Sequence, residues 1–169
     1  MIQKKSLFTA ALLGLAALGQ QKPNFTGTWE LSKIDRDGNT ITPGTRFKET
    51  QVWVHRDQKL TITMRGWDDT RGYWTVELSY TIDGKAGPVG YATGRDGKKS
   101  PISGSARWEG NRLVYEQDHD TGHSPSRIIR SCTFDPNGPK IVSDSLTWLA
   151  GKEQPYRDKW TWEKKNDTP

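Results

Sequence analysis

Short runs of strict two-residue alternation, separated by Asp-Gly and Asn-Gly turns, dominate this chain. The longest places Trp74, Val76, Leu78, Tyr80 and Ile82 on one parity and Thr75, Glu77, Ser79 and Thr81 on the other. Phe25, Gly27, Trp29 and Leu31 share a parity, as do Leu60, Ile62 and Met64, and Leu113, Tyr115 and Gln117. Successive side chains of a strand point to opposite faces, so this pattern describes half-buried β-strands. The turn segments DRDGN (35–39), DGK (83–85 and 96–98), EGN (109–111) and DPNG (135–138) supply the positive φ angles of tight hairpins. No segment after the first twenty residues has helical periodicity. The spacing predicts strands over 25–34, 47–55, 58–66, 72–83, 88–95, 101–109, 112–119, 126–134, 140–149 and 156–164.

About ten strands in one open sheet would expose two long edges of unpaired backbone groups. Closing the sheet on itself removes both. The expected fold is therefore all-β, a single up-and-down antiparallel barrel of about 8–10 strands. A sandwich is the alternative, and it usually needs longer crossing connections than these hairpins.

The N-terminus follows a different logic. Lys4 and Lys5 precede the uncharged run LFTAALLGLAAL at 7–18, and Ala17-Leu18-Gly19 offers small residues at the −3 and −1 positions. A basic start, a short apolar stretch and a small-x-small site are the features of an export signal. The run is shorter than the ~20 residues of a membrane span. Residues 1–19 are thus expected to be a signal peptide and 20–169 one barrel domain, secreted or periplasmic, with no stable membrane insertion once the signal is removed. Lys4 and Lys5 account for two of the formal +5 charges, leaving +3 spread along the chain. With no basic patch, a nucleic-acid partner is not expected. Cys132 is the single cysteine, so no internal disulfide forms and the core must hold the domain together.

Several motifs in order resemble a known family. NFTGTWELS at 24–32 is similar to the opening G-x-W signature of the calycin superfamily, which includes lipocalins and fatty-acid-binding proteins. The Y-T-x-D-G-K hairpin (Tyr80 to Lys85), the A-x-W-x-G-x-x-L-V hairpin (Ala106 to Val114) and the closing Trp162-Glu163-Lys164 resemble the secreted bacterial lipocalin-like domain proteins. The resemblance implies a lipocalin-like barrel in which Trp29 closes one end and Gly27 lets the first strand bend and lie close to its neighbours. It also implies a late basic residue packed over that Trp, for which Lys164 is the candidate. Two family features are missing. Arg157 is followed by Asp158 and Lys159 rather than forming an Arg-x-Tyr carboxylate clamp, and no lipobox Cys is present.

The chain holds eight Trp, and an aromatic barrel interior suits a small apolar or amphipathic ligand. Trp74, Tyr80, Tyr115 and Trp160 are candidate ligand-lining residues on inward parities; each also suits plain core packing. Arg130 shares its parity with Ile128, Cys132 and Phe134, while Ile129 occupies the other face, so periodicity leaves the inward face of this strand open. An inward Arg130 would require a carboxylate, with Asp144 on the next strand as a candidate, or an anionic ligand. DHDTGH at 118–123 is the one cluster of metal-ligand types, and it reads more simply as a polar loop. Hydrolase and phosphate-loop signatures are absent: GHSPS and GRDGKKS lack the required glycines and the following helix. The expectation is a monomeric binding protein without catalytic residues, metal or cofactor. The alternatives are a ligand-free structural or interaction barrel, and a metal- or haem-dependent enzyme using the 118–123 loop.

Overall fold

The structure is a computed structural model that describes residues 22–70, 72–119, 126–135 and 137–165. Residues 1–19 and 120–125 lie outside it, and with them the export signal and most of the 118–123 cluster. Among the described residues there is no helix, and hence none long and apolar enough to cross a membrane.

Eleven antiparallel strands follow the chain: β1 (Gly27–Arg36), β2 (Asn39–Ile41), β3 (Phe47–Arg56), β4 (Lys59–Asp68), β5 (Gly72–Thr81), β6 (Gly87–Thr93), β7 (Lys99–Glu109), β8 (Arg112–His119), β9 (Ser126–Asp135), β10 (Lys140–Leu149) and β11 (Tyr156–Lys164). Each long strand pairs with its sequence neighbour, and β11 returns to pair with β1 from Trp29↔Lys164 to Arg36↔Asp158. Ten strands therefore form a closed up-and-down barrel, the expected fold. The strand expected at each of the ten positions is present, with ends shifted by a residue or two. The unforeseen element is β2, three residues folded back on β1 through Asp37 and Gly38, whose φ values are 48° and 80°. The sequence marks that turn, but NTI is too short to show alternation.

Two local features shape the interior. A bulge between Leu31 and Lys33 shifts the parity of β1, so that Ile34 as well as Trp29 and Leu31 faces inward. In addition, β1 and β3 pair only from Gly27↔Trp53 to Glu30↔Thr50; beyond this, β1 pairs with β2 and the Phe47–Glu49 end of β3 leaves it. The wall is split there.

One end of the barrel is packed solid. Phe25 lies 5.5 Å from Trp53, 6.1 Å from Trp108 and 6.0 Å from Phe134 between ring centroids, and Trp29 meets Phe134 edge-on at 6.1 Å. Phe25, Trp29, Trp53 and Trp162 are fully buried. Trp29 Nε1 donates to the Phe25 carbonyl at 3.0 Å, so its polar edge is satisfied. Gly27 has φ 153°, and a Cβ there would stand 3.2 Å from Lys164 Cε and 3.5 Å from Trp29 Nε1. Lys164 lies directly across from Trp29 in the β1–β11 ladder.

Candidate functional site

The opposite end is hollow. A cavity of about 830 Å³ opens between the ends of β3 to β11. Its walls include Trp74, Trp160, Glu49, Gln117, His119 and Arg130. A second cavity of about 520 Å³ lies by the β1–β3 split, under Ile41, Phe47 and Trp67, and shares Arg36, Glu49, Trp74 and Trp160 with the first.

The strands that build the plug also build these walls, because parity is constant while residue type changes along each strand. On β9, Phe134 faces the aromatic end, Cys132 the middle and Arg130 the cavity. Arg130 is 7% exposed, which resolves the face that periodicity left open. Asp144, the candidate partner on β10, points outward instead, with Arg112 Nη2 3.1 Å from its Oδ2. It sits opposite Ser131 in the ladder, on the other parity from Arg130, so it cannot reach the interior.

Arg130 has few partners for a buried charge. Its Nη1 reaches Tyr115 Oη at 3.5 Å, and its guanidinium lies 5.0 Å from the ring of Trp160 and 5.7 Å from that of Trp162. Nε has no hydrogen-bond partner. Among the described residues no carboxylate forms an ion pair with it. Burial works against its charge, but Tyr115 and the Glu49 carboxylate outweigh that, and its pKa lies above the usual arginine value. It is a charged group facing a cavity, held mainly by aromatic faces.

Other donors converge here. Gln117 Nε2 and Trp160 Nε1 are buried without partners. Gln117 Oε1 is engaged by His119 Nε2 at 2.8 Å. Burial, and secondarily the charge of Arg130, lower the His119 pKa, so the ring is neutral at pH 7 and Nε2–H donates. Buried donors left open in this way call for an explanation, commonly a water, ion or ligand. At the mouth, Arg36 grips Asp158 with Nε–Oδ1 at 2.6 Å and Nη2–Oδ2 at 2.8 Å.

On the opposite wall, β3 turns polar groups inward. Trp53 Nε1 donates to Gln51 Oε1 at 2.7 Å, and Gln51 Nε2 donates to Glu49 Oε1 at 2.5 Å. Trp74 lies flat over β4 because Gly66 sits opposite it; a Cβ at Gly66 would come within 2.0 Å of the indole ring.

Of the candidate ligand-lining residues, Trp74, Arg130 and Trp160 stand in the cavity wall. Tyr80 and Tyr115 lie beneath it in the packed floor, their rings 5.8 Å apart. Burial raises the pKa of both phenols, which stay protonated. Glu49 and Gln117 were not candidates from sequence. The signal was the polar parity Glu49-Gln51 in phase with Trp53, masked by Val52 and Val54 on the opposite, solvent face. His119 entered only as a member of the metal-type cluster, whose residues 120–123 lie outside the described residues. Among the described residues no group of three or more His, Cys, Asp or Glu is placed to hold a metal.

No family model and no curated protein matches the chain. Solved structures do. The crystal structure of zebrafish ileal bile acid-binding protein complexed with cholic acid aligns with a TM-score of 0.52 at 17% identity, covering 83% of this chain and 98% of that one. The crystal structure of Rv2717c from M. tuberculosis aligns with a TM-score of 0.51 at 11% identity, covering 83% and 92%. At these identities the likeness concerns the fold.

Proposed function

We propose that this barrel binds a small amphipathic molecule with an acidic head, seating the head on Arg130 and the apolar body between Trp74 and Trp160. The observation that carries the reading is the buried guanidinium: it faces a cavity large enough for such a ligand, no carboxylate of the described residues pairs with it, and unpartnered donors of Gln117 and Trp160 stand in the same wall. An unpaired buried charge is costly, and an anionic head supplies the missing partner. That a protein of the same fold is solved with cholic acid, itself an acidic amphipath, supports the reading. The cavity volume favours a ligand over a filled structural barrel. The export-signal pattern of residues 1–19 supports an extension of the proposal, in which the mature domain works in the periplasm or outside the cell.

The test is displacement of the fluorescent probe 8-anilinonaphthalene-1-sulfonate by dodecanoate and by dodecanol. Hydrogen bonds to charged groups contribute about 1.5–3 kcal/mol, so Arg130→Met should weaken dodecanoate roughly 10- to 100-fold and leave dodecanol nearly unchanged. Equal dodecanoate affinity in Arg130→Met and the wild type would reject the reading. Native mass spectrometry of protein from its own cells would identify a co-purifying ligand.

A further inference from the structure

A cavity that receives an acidic head has no evident need of a carboxylate, yet Glu49 is in its wall. It is 8% exposed and belongs to both cavities. The Trp53–Gln51–Glu49 relay holds it rigidly: the three side chains sit on one face of β3, and both ends of the Gln51 amide are used. Oε1 is thereby engaged. Among the described residues Glu49 accepts from Gln51 alone and forms no ion pair, which leaves Oε2 without a donor. Arg130 influences it electrostatically across the space between β3 and β9 but does not touch it. Two opposite charges thus face one cavity, each incompletely compensated.

We infer that Glu49 selects ligands carrying a hydroxyl on the apolar body, which donates to its free oxygen while Arg130 holds the acidic head. The inference rests on the proposed acidic amphipath and narrows it to hydroxylated members. A bare hydrocarbon pressed against Glu49 would strip water from a carboxylate and return no hydrogen bond. A site built to bond a ligand hydroxyl discriminates strongly against the analogue without it, because its own polar group is then left unpaired. A hydroxyl fits better than an ammonium, which would bring a second positive charge into the cavity that already holds the buried Arg130.

Cholate and 5β-cholanate are a matched pair, sharing the acid and the ring system and differing in their hydroxyls. Each would be titrated below its micelle concentration against bound 8-anilinonaphthalene-1-sulfonate. The wild type should prefer cholate by about 10-fold or more. Glu49→Leu should abolish the preference, chiefly by tightening cholanate. Glu49→Gln, nearly isosteric, should lower it several-fold and carries the test if the leucine variant does not fold. An unchanged cholate-to-cholanate ratio in the folded variants overturns the inference and leaves the acidic-amphipath reading standing. Failure of both acids to displace the probe from the wild type removes that reading and this inference with it.

Discussion

The two ends of the barrel are made by the same strands and do opposite things. At the closed end, Phe25, Trp29, Trp53, Trp108 and Phe134 meet ring to ring. At the open end, the inward positions of the same strands carry Glu49 (β3), Arg130 (β9) and Asp158 (β11), with Trp74 and Trp160 standing over open space. Close packing is where a small barrel gets its stability, since each large ring removed leaves a void that surrounding strands cannot collapse into. Buried polar groups contribute little net stability and are costly when unpaired. This barrel concentrates its close packing at one end and leaves the other end to polar and charged side chains around open space.

One tryptophan from each end sets the plug against the cavity. Trp53→Ala, in the plug, should lower the free energy of unfolding by about 3–5 kcal/mol. Trp160→Ala, beside space that is already open, should cost roughly 1–2 kcal/mol, mostly its contact with Trp162 at 5.8 Å, while weakening dodecanoate binding. Urea denaturation of both variants decides this; equal losses would mean that the open end is as much a part of the stabilising core as the plug.

Acidity should sharpen the contrast with a smaller effect. His119 has a lowered pKa in the free protein. An unfolded chain takes up that proton near pH 6.5, before the folded one does, so stability should fall as pH drops through the window below about 6.5. A bound anion would raise the His119 pKa, so affinity should rise over the same window. Dodecyl sulfonate, which does not titrate there, should bind several-fold tighter near pH 5 than at pH 7, and His119→Gln should flatten the profile. A flat wild-type profile would separate His119 from the proposed anion site.

The smallest effect concerns the middle of the barrel. Burial pushes the Cys132 thiol up to about 11, so it is protonated and shielded at neutral pH. Iodoacetamide should label it only at the rate of global unfolding. Rapid labelling without loss of structure would show that the layer between plug and cavity opens by itself.

Legibility followed the same division. Strand positions were readable because inward and outward residues differ in kind, as in β5, where Trp74 to Tyr80 alternate with Thr and Glu. The site was harder because it breaks that rule. In β3 the valines Val52 and Val54 face solvent and Glu49 and Gln51 face in; in β9 both parities carry isoleucine. Trp74, Arg130 and Trp160 were reachable as single residues, but their convergence with Glu49 and Gln117, from strands far apart in sequence, was not. Asp144 shows the limit: adjacency to the Arg130 strand suggested a partner, and a register offset of one residue put its carboxylate outside the barrel.

Side-chain alternation and turn chemistry are local properties, and they suffice to dictate a meander of amphipathic strands with a Gly-x-Trp opening. Whether the ring closed, which parity of β9 faced in, and whether the interior was filled or hollow were decided only in three dimensions. Those outcomes depend on the bulge in β1, the β1–β3 split and the register of every ladder at once, and a one-residue change in any register exchanges the inner and outer faces of a strand.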